Sequence, residues 1–221
     1  MAVGLDAVLD RISRACARRG VDSDTVILVV VSKHRSDEDV RKVYDSGQRV
    51  FAENRAQELA LRRTADLPDD IEWHFVGPLQ SRKAASVGAH ASLLQSMDRL
   101  KLARIWRDQC REVPVLVQFN LAGEPQKSGF PPDEAGRVLD DLLALGLDVQ
   151  GVMAIPPNAP DPEMARPWFA QLRGIFDMYR TDVPSIDTCS MGMSNDLEVA
   201  IEEGATMVRI GRAIFDATAD T

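Results

Sequence analysis

The chain has 221 residues, 45% hydrophobic and 27% charged, enough for one large domain with a sizeable core or for two small ones. Its 34 acidic and 26 basic residues leave a net charge of −8, which argues against a general nucleic-acid footprint. No apolar run approaches the ~18 residues of a membrane span, and Met1 to Gly20 lacks a signal-peptide core. Cys16, Cys110 and Cys189 show no metal spacing and read as reduced thiols of a cytoplasmic protein.

In chain order, Leu5–Arg19 has the spacing of a helix, and Thr25–Ser32 is an apolar, β-branched run that predicts a strand buried on both faces. Helical stretches follow at Asp37–Ser46, Asn54–Thr64, Leu79–Val87, Asp98–Cys110, Asp133–Leu145, Glu163–Tyr179 and Asn195–Glu203. Between them lie the strand candidates Arg49–Ala52, Ile71–Val76, Ser92–Ser96, Pro114–Asn120, Val149–Ile155, Ile186–Ser190 and Thr206–Ile210. Gly20, Gly47, Gly88, Gly146 and Gly204 stand where left-handed helix ends belong. Ser36 with Asp39, Asp98, and Ser194 are expected helix starts.

Strands alternating with helices argue a parallel sheet. Closing eight strands into a (β/α)8 barrel removes the sheet edges, and the N-terminal helix is available for the eighth gap. An open Rossmann or flavodoxin-like sheet is the rival, weakened by the lack of a Gly-x-Gly-x-x-Gly turn after the first strand. No linker or repeat divides the chain, so residues 1–221 read as a single barrel domain.

In such barrels the active site lies at the C-terminal strand ends. Lys33 closes the first strand, and an amine beside low-dielectric surroundings is the chemistry of Schiff-base lysines. The turns after strands seven and eight, Ser190-Met191-Gly192-Met193-Ser194 and Arg209-Ile210-Gly211-Arg212, have the features of a phosphate site. Ser190 offers a hydroxyl, Gly192 and Gly211 open the backbone, and Arg209 and Arg212 add cations. A strand-end lysine opposite a phosphate site suggests a phosphorylated aldehyde: pyridoxal 5′-phosphate (PLP), or a phosphorylated sugar in a Schiff-base aldolase. His74, between Trp73 and Phe75, fits a packing role better than a catalytic one, and Met191 could line an apolar wall. Lys127, beside Ser128-Gly129, is a possible contact for a second anion, and Glu202-Glu203 reads as a solvated helix face. No metal constellation is present in the sequence pattern.

With these residues the sequence resembles the YggS/PROSC-type pyridoxal phosphate homeostasis proteins. The marks are Val-Ser-Lys33, Glu53-Asn54, Trp73 to Ser81, Ser96 to Arg99, Lys127 to Phe130, Ser190 to Ser194 and Val208 to Gly211, in that order over nearly the whole chain. The resemblance implies a monomeric or weakly associating barrel like the N-terminal domain of alanine racemases. It implies that Lys33 holds PLP as a Schiff base, that Arg209 faces the pyridine nitrogen, and that Ser190 with the Gly211–Arg212 backbone holds the phosphate. Asn54 then lies near the cofactor. PLP-requiring apoenzymes become the partners, and vitamin B6 homeostasis and delivery the role. The family usually has threonine where Arg212 stands, so a hydroxyl contact is lost and a guanidinium offered instead. The alternative is a PLP-dependent amino-acid enzyme such as a racemase, against which the sequence's end at Thr221 leaves no room for a second domain.

Overall fold

A computed structural model describes residues 3–216 of the chain. The strands are β1 (Ile27–Val31), β2 (Val50–Glu53), β3 (Glu72–Phe75), β4 (Leu93–Met97), β5 (Val115–Phe119), β6 (Val149–Ala154), β7 (Thr188–Ser190) and β8 (Met207–Ile210). All pair in parallel and close in sequence order into a barrel, with β8 returning to β1 through Ile27↔Met207 to Val30↔Ile210.

The helices are α1 (Val3–Arg19), α2 (Asp37–Asp45), α3 (Ala56–Thr64), α4 (Ala84–Gly88), α5 (Leu100–Cys110), α6 (Ala135–Ala144), α7 (Arg166–Asp182), α8 (Leu197–Glu202) and α9 (Arg212–Phe215). The short α9 was not expected from the sequence; α1 packs beside it and α8 and so covers the eighth gap. Two apolar layers result. The larger fills the space between sheet and helices, with Phe51, Trp73, Trp106, Phe169 and Phe176 buried in it. The smaller fills the barrel with Val29, Ala52, Leu93, Leu116, Met153 and Met207, one inward residue each from β1, β2, β4, β5, β6 and β8.

Three helix boundaries differ from expectation. Gly88 does not take a left-handed conformation but lies inside α4, where a Cβ would come 2.4 Å from Cys110 Sγ; close packing of α4 on α5 requires the glycine. Asp98 does not cap α5: Arg99 is the cap residue and its guanidinium takes the Asp98 carboxylate. Ser194 does not cap α8, which begins later behind Asp196; its hydroxyl instead accepts the Ala213 N–H of α9 at 3.4 Å. The Ser36–Asp39 capping box on α2 is present in full. Glu202 and Glu203 are not a simple solvated face, because Arg166 donates to both, at 2.8 and 2.7 Å.

Candidate functional site

The inward series of the barrel runs Val29, Val31 on β1, Val50, Ala52 on β2 and Met207, Arg209 on β8. Continuing each by one step past the strand brings Lys33, Asn54 and Gly211 to the same mouth, because side chains alternate along a strand. There they line a cavity of about 420 Å³ together with Val31, Val76, Gly77, Pro78, Ile155, Met193 to Asp196, Arg209 and Arg212. That volume lies within the range of small-molecule sites. A more open groove of about 610 Å³ shares Asn54 and Pro78, but neither Lys33 nor the β8 turn borders it.

Lys33 stands in the turn after β1 and is exposed at the mouth, not shut in by the apolar strand end. Among the described residues it makes no ion pair. The next residue, His34, holds φ at +62°, a left-handed conformation unusual for a side-chain-bearing residue. Two glycines bring the flanking turns close. A Cβ on Gly211 would lie 2.9 Å from the Val31 carbonyl, and one on Gly77 only 2.0 Å from the Asn54 carbonyl. The Asn54 Oδ1 is buried without a hydrogen-bond partner. Arg212 is exposed at the rim.

Arg209 forms the floor. It is 5% exposed and donates to Ser190 Oγ at 2.6 Å and to the Ala154 carbonyl at 2.9 Å. Burial pulls its pKa down to about 10, so it remains a cation at neutral pH; the nearby Asp196 acts in the opposite direction. Asp196 accepts the Met193 N–H at 2.6 Å, and burial pushes its carboxyl upward.

Behind Arg209 a polar chain crosses the barrel. Ser190 Oγ donates to Gln95 Oε1 at 2.7 Å, and Gln95 Nε2 stands 2.9 Å from His74 Nδ1. Burial lowers the His74 pKa to about 4, so the ring is neutral and its Nδ1 accepts from Gln95. Every donor in the chain therefore points from Arg209 toward His74.

The structure thus gathers Lys33, Asn54, Arg209, Gly211 and Arg212 around one cavity and leaves the other four expected residues outside its lining. Ser190 is fully buried, and its hydroxyl is committed to Arg209 and Gln95, so it supports the arginine and does not face an anion. His74 ends the polar chain, Met191 is core, and Gly192 carries the left-handed turn with φ +94°. Lys127 is occupied by the Pro156 carbonyl at 2.9 Å and by Glu124. Gln95 and Asp196 escaped sequence reasoning; the signal for Gln95 was a polar pair, Gln95-Ser96, inside the apolar run Leu93 to Met97. Also unforeseen is Arg11 of α1, which donates to the Ser194 carbonyl at 2.9 Å while paired with Glu198, and so ties the β7 turn to the N-terminal helix.

Comparison with known proteins gives consistent relatives. The chain is 40% identical to the pyridoxal phosphate homeostasis protein of Escherichia coli K12 over 231 aligned positions, covering 98% of this chain and 96% of that one. Its structure resembles that of PipY of Synechococcus elongatus PCC7942 with PLP bound, with a TM-score of 0.78 and 32% identity over 92% of this chain and 99% of that one. Alanine racemase of Corynebacterium glutamicum shares the fold, with a TM-score of 0.68 at 16% identity over 95% of this chain and 60% of the racemase. No family model matches the sequence.

Proposed function

The chain belongs to the family of pyridoxal phosphate homeostasis proteins, and we propose that it binds PLP at the barrel mouth and serves PLP homeostasis. The observation that carries this reading is one cavity that unites an exposed lysine amine, a buried arginine and a glycine turn. PLP bound there supplies an aldehyde, which bonds reversibly to a primary amine.

The residues fit that group. Lys33 brings the amine, exposed in the turn after β1 and without an ion pair among the described residues. Arg209, fixed by Ser190 and Ala154, presents a cation without an acceptor, which would keep a basic ring nitrogen placed against it unprotonated. The Gly211–Arg212 backbone and the Arg212 guanidinium are assigned to the phosphate, with Ser194 at the same rim. Asn54 Oδ1 is a buried acceptor awaiting a donor, since a buried polar atom without a partner is disfavoured.

Delivery requires a site that also lets go, and a mouth where Lys33 and Arg212 are both exposed supports exchange with the outside. PLP-requiring apoenzymes are the recipients under this reading, with a monomeric single-domain barrel in the cytoplasm as the working unit. Among the described residues no helix is long and apolar enough to cross a membrane. The test is reduction with borohydride after adding PLP, followed by peptide mapping: a stable adduct on Lys33 supports the proposal, and an adduct elsewhere, or none, refutes it.

A further inference from the structure

Directly outside the barrel wall, behind the cavity, lies a buried ion pair. Glu53 ends β2 on its outward face and is 0% exposed; Arg62 of α3 is 9% exposed and donates to Glu53 Oε1 at 3.0 Å. The same carboxylate oxygen accepts the Ser32 hydroxyl at 2.8 Å. The rest of the Arg62 guanidinium is turned on the loop after β1. It donates to the Ser32 carbonyl at 3.2 Å, to the Arg35 carbonyl at 2.7 Å and to the Asp37 carboxylate at the start of α2.

The placement is specific. Ser32 precedes Lys33, and Glu53 precedes Asn54. Because neighbours along the chain point to opposite sides of the sheet, the outward residues are held here while the inward ones reach the cavity. One guanidinium grips the carbonyls on either side of Lys33-His34, the segment that contains the left-handed His34. Arg35 N–H closes the same turn on the Ser32 carbonyl at 3.0 Å. A planar fork with several fixed donors can define such a turn, whereas an ammonium of the same charge cannot.

A buried ion pair is weak evidence for stability, since taking two charges out of water offsets most of their attraction. Burial accordingly pushes the Glu53 carboxyl up, against the pull of Ser32 and Arg62. Its second oxygen, Oε2, is buried without a partner. An apolar contact would fill this space at lower cost, so its specific return is geometric. We infer that the Ser32–Glu53–Arg62 cluster is a positioning device that sets the pose of Lys33 toward the ligand. This deepens the PLP reading and rests on it for the identity of the ligand.

The test uses Arg62→Lys, which keeps the charge and loses the fork, and Ser32→Ala, a milder change that keeps the ion pair. In the protein without cofactor, amide hydrogen exchange at Arg35 should quicken about tenfold in Arg62→Lys, while exchange in β5 stays at the parent rate. With ligands, PLP affinity should fall about tenfold or more in Arg62→Lys and by less in Ser32→Ala. Affinity for pyridoxine 5′-phosphate, which lacks the aldehyde, should stay within about twofold in both. A split between the two ligands separates positioning of the lysine from general loosening, which would weaken both. Folded variants with parental Arg35 exchange and parental PLP affinity overturn the inference, as does equal loss of both ligands. Should the parent itself form no Lys33 adduct, the PLP reading fails alone, and the exchange measurement still decides whether the cluster holds the turn.

Discussion

His74 makes the stability of the barrel depend on acid in a direction that the structure fixes. Burial lowers its pKa from 6.5 to about 4 in the fold. The unfolded chain therefore takes up this proton first, and stability from the neutral ring is complete above about pH 6.5, then lost as pH falls toward 4. A difference of that size corresponds to about 3 kcal/mol once the loss is complete, at 1.36 kcal/mol for each pH unit. The chemistry agrees: a second proton on the ring would put a donor at Nδ1 against the Gln95 Nε2 donor and disturb the line to Ser190 and Arg209. His74→Asn keeps an acceptor near Nδ1 and removes the titration. Urea unfolding of parent and variant, followed by tryptophan fluorescence from pH 7.5 to 4.5, should show the parent losing stability relative to the variant by about 1 kcal/mol at pH 5.5 and more below. The comparison isolates the ring, because parent and variant share the Glu53 and Asp196 carboxyls, which burial raises and which contribute in the opposite direction. A stability difference that stays flat over this range, or grows toward acid in the parent's favour, would show that the His74 ring is not the group that titrates.

Arg209→Glu removes the donors to Ser190 and Ala154 and buries a proton acceptor, so the absorbance of bound PLP and its pH dependence should both shift in spectrophotometric titration. Arg212→Ala should weaken PLP and free phosphate together by about fivefold, within ~1 kcal/mol for an exposed cation, as measured by calorimetry. Gly77→Ala places a Cβ 2.0 Å from the Asn54 carbonyl, which forces backbone movement and should cost about 2 kcal/mol or more in chemical unfolding, with weaker PLP binding.

The barrel was legible because each strand is a short apolar run and each run is followed by a helical pattern, with β1 to β8 falling within a few residues of their expected places. Helix ends were less so, for local reasons. Asp98 has the chemistry of a cap, yet its neighbour Arg99 competes for the carboxylate, and Gly88 serves a distant cysteine that no local pattern reveals. At the mouth, strand-end position identified Lys33, Asn54, Arg209, Gly211 and Arg212 as neighbours. The same logic misplaced Ser190, because the last residue of β7 still points into the closed barrel, where Arg209 and Gln95 take its hydroxyl. The pairing of Glu53 with Arg62 and of Gln95 with Ser190 depends on which elements the closed sheet brings together, and that information is not in any one segment.

Lys33 is the residue to which we propose that PLP bonds. Borohydride reduction of the PLP-treated parent, then peptide mass mapping, should place one reduced pyridoxyl group on Lys33. Lys33→Ala should retain the parental fold and lose that adduct and its visible absorbance. Full adduct yield in Lys33→Ala, or a parental adduct on Lys127 or another lysine, would show that PLP bonds elsewhere.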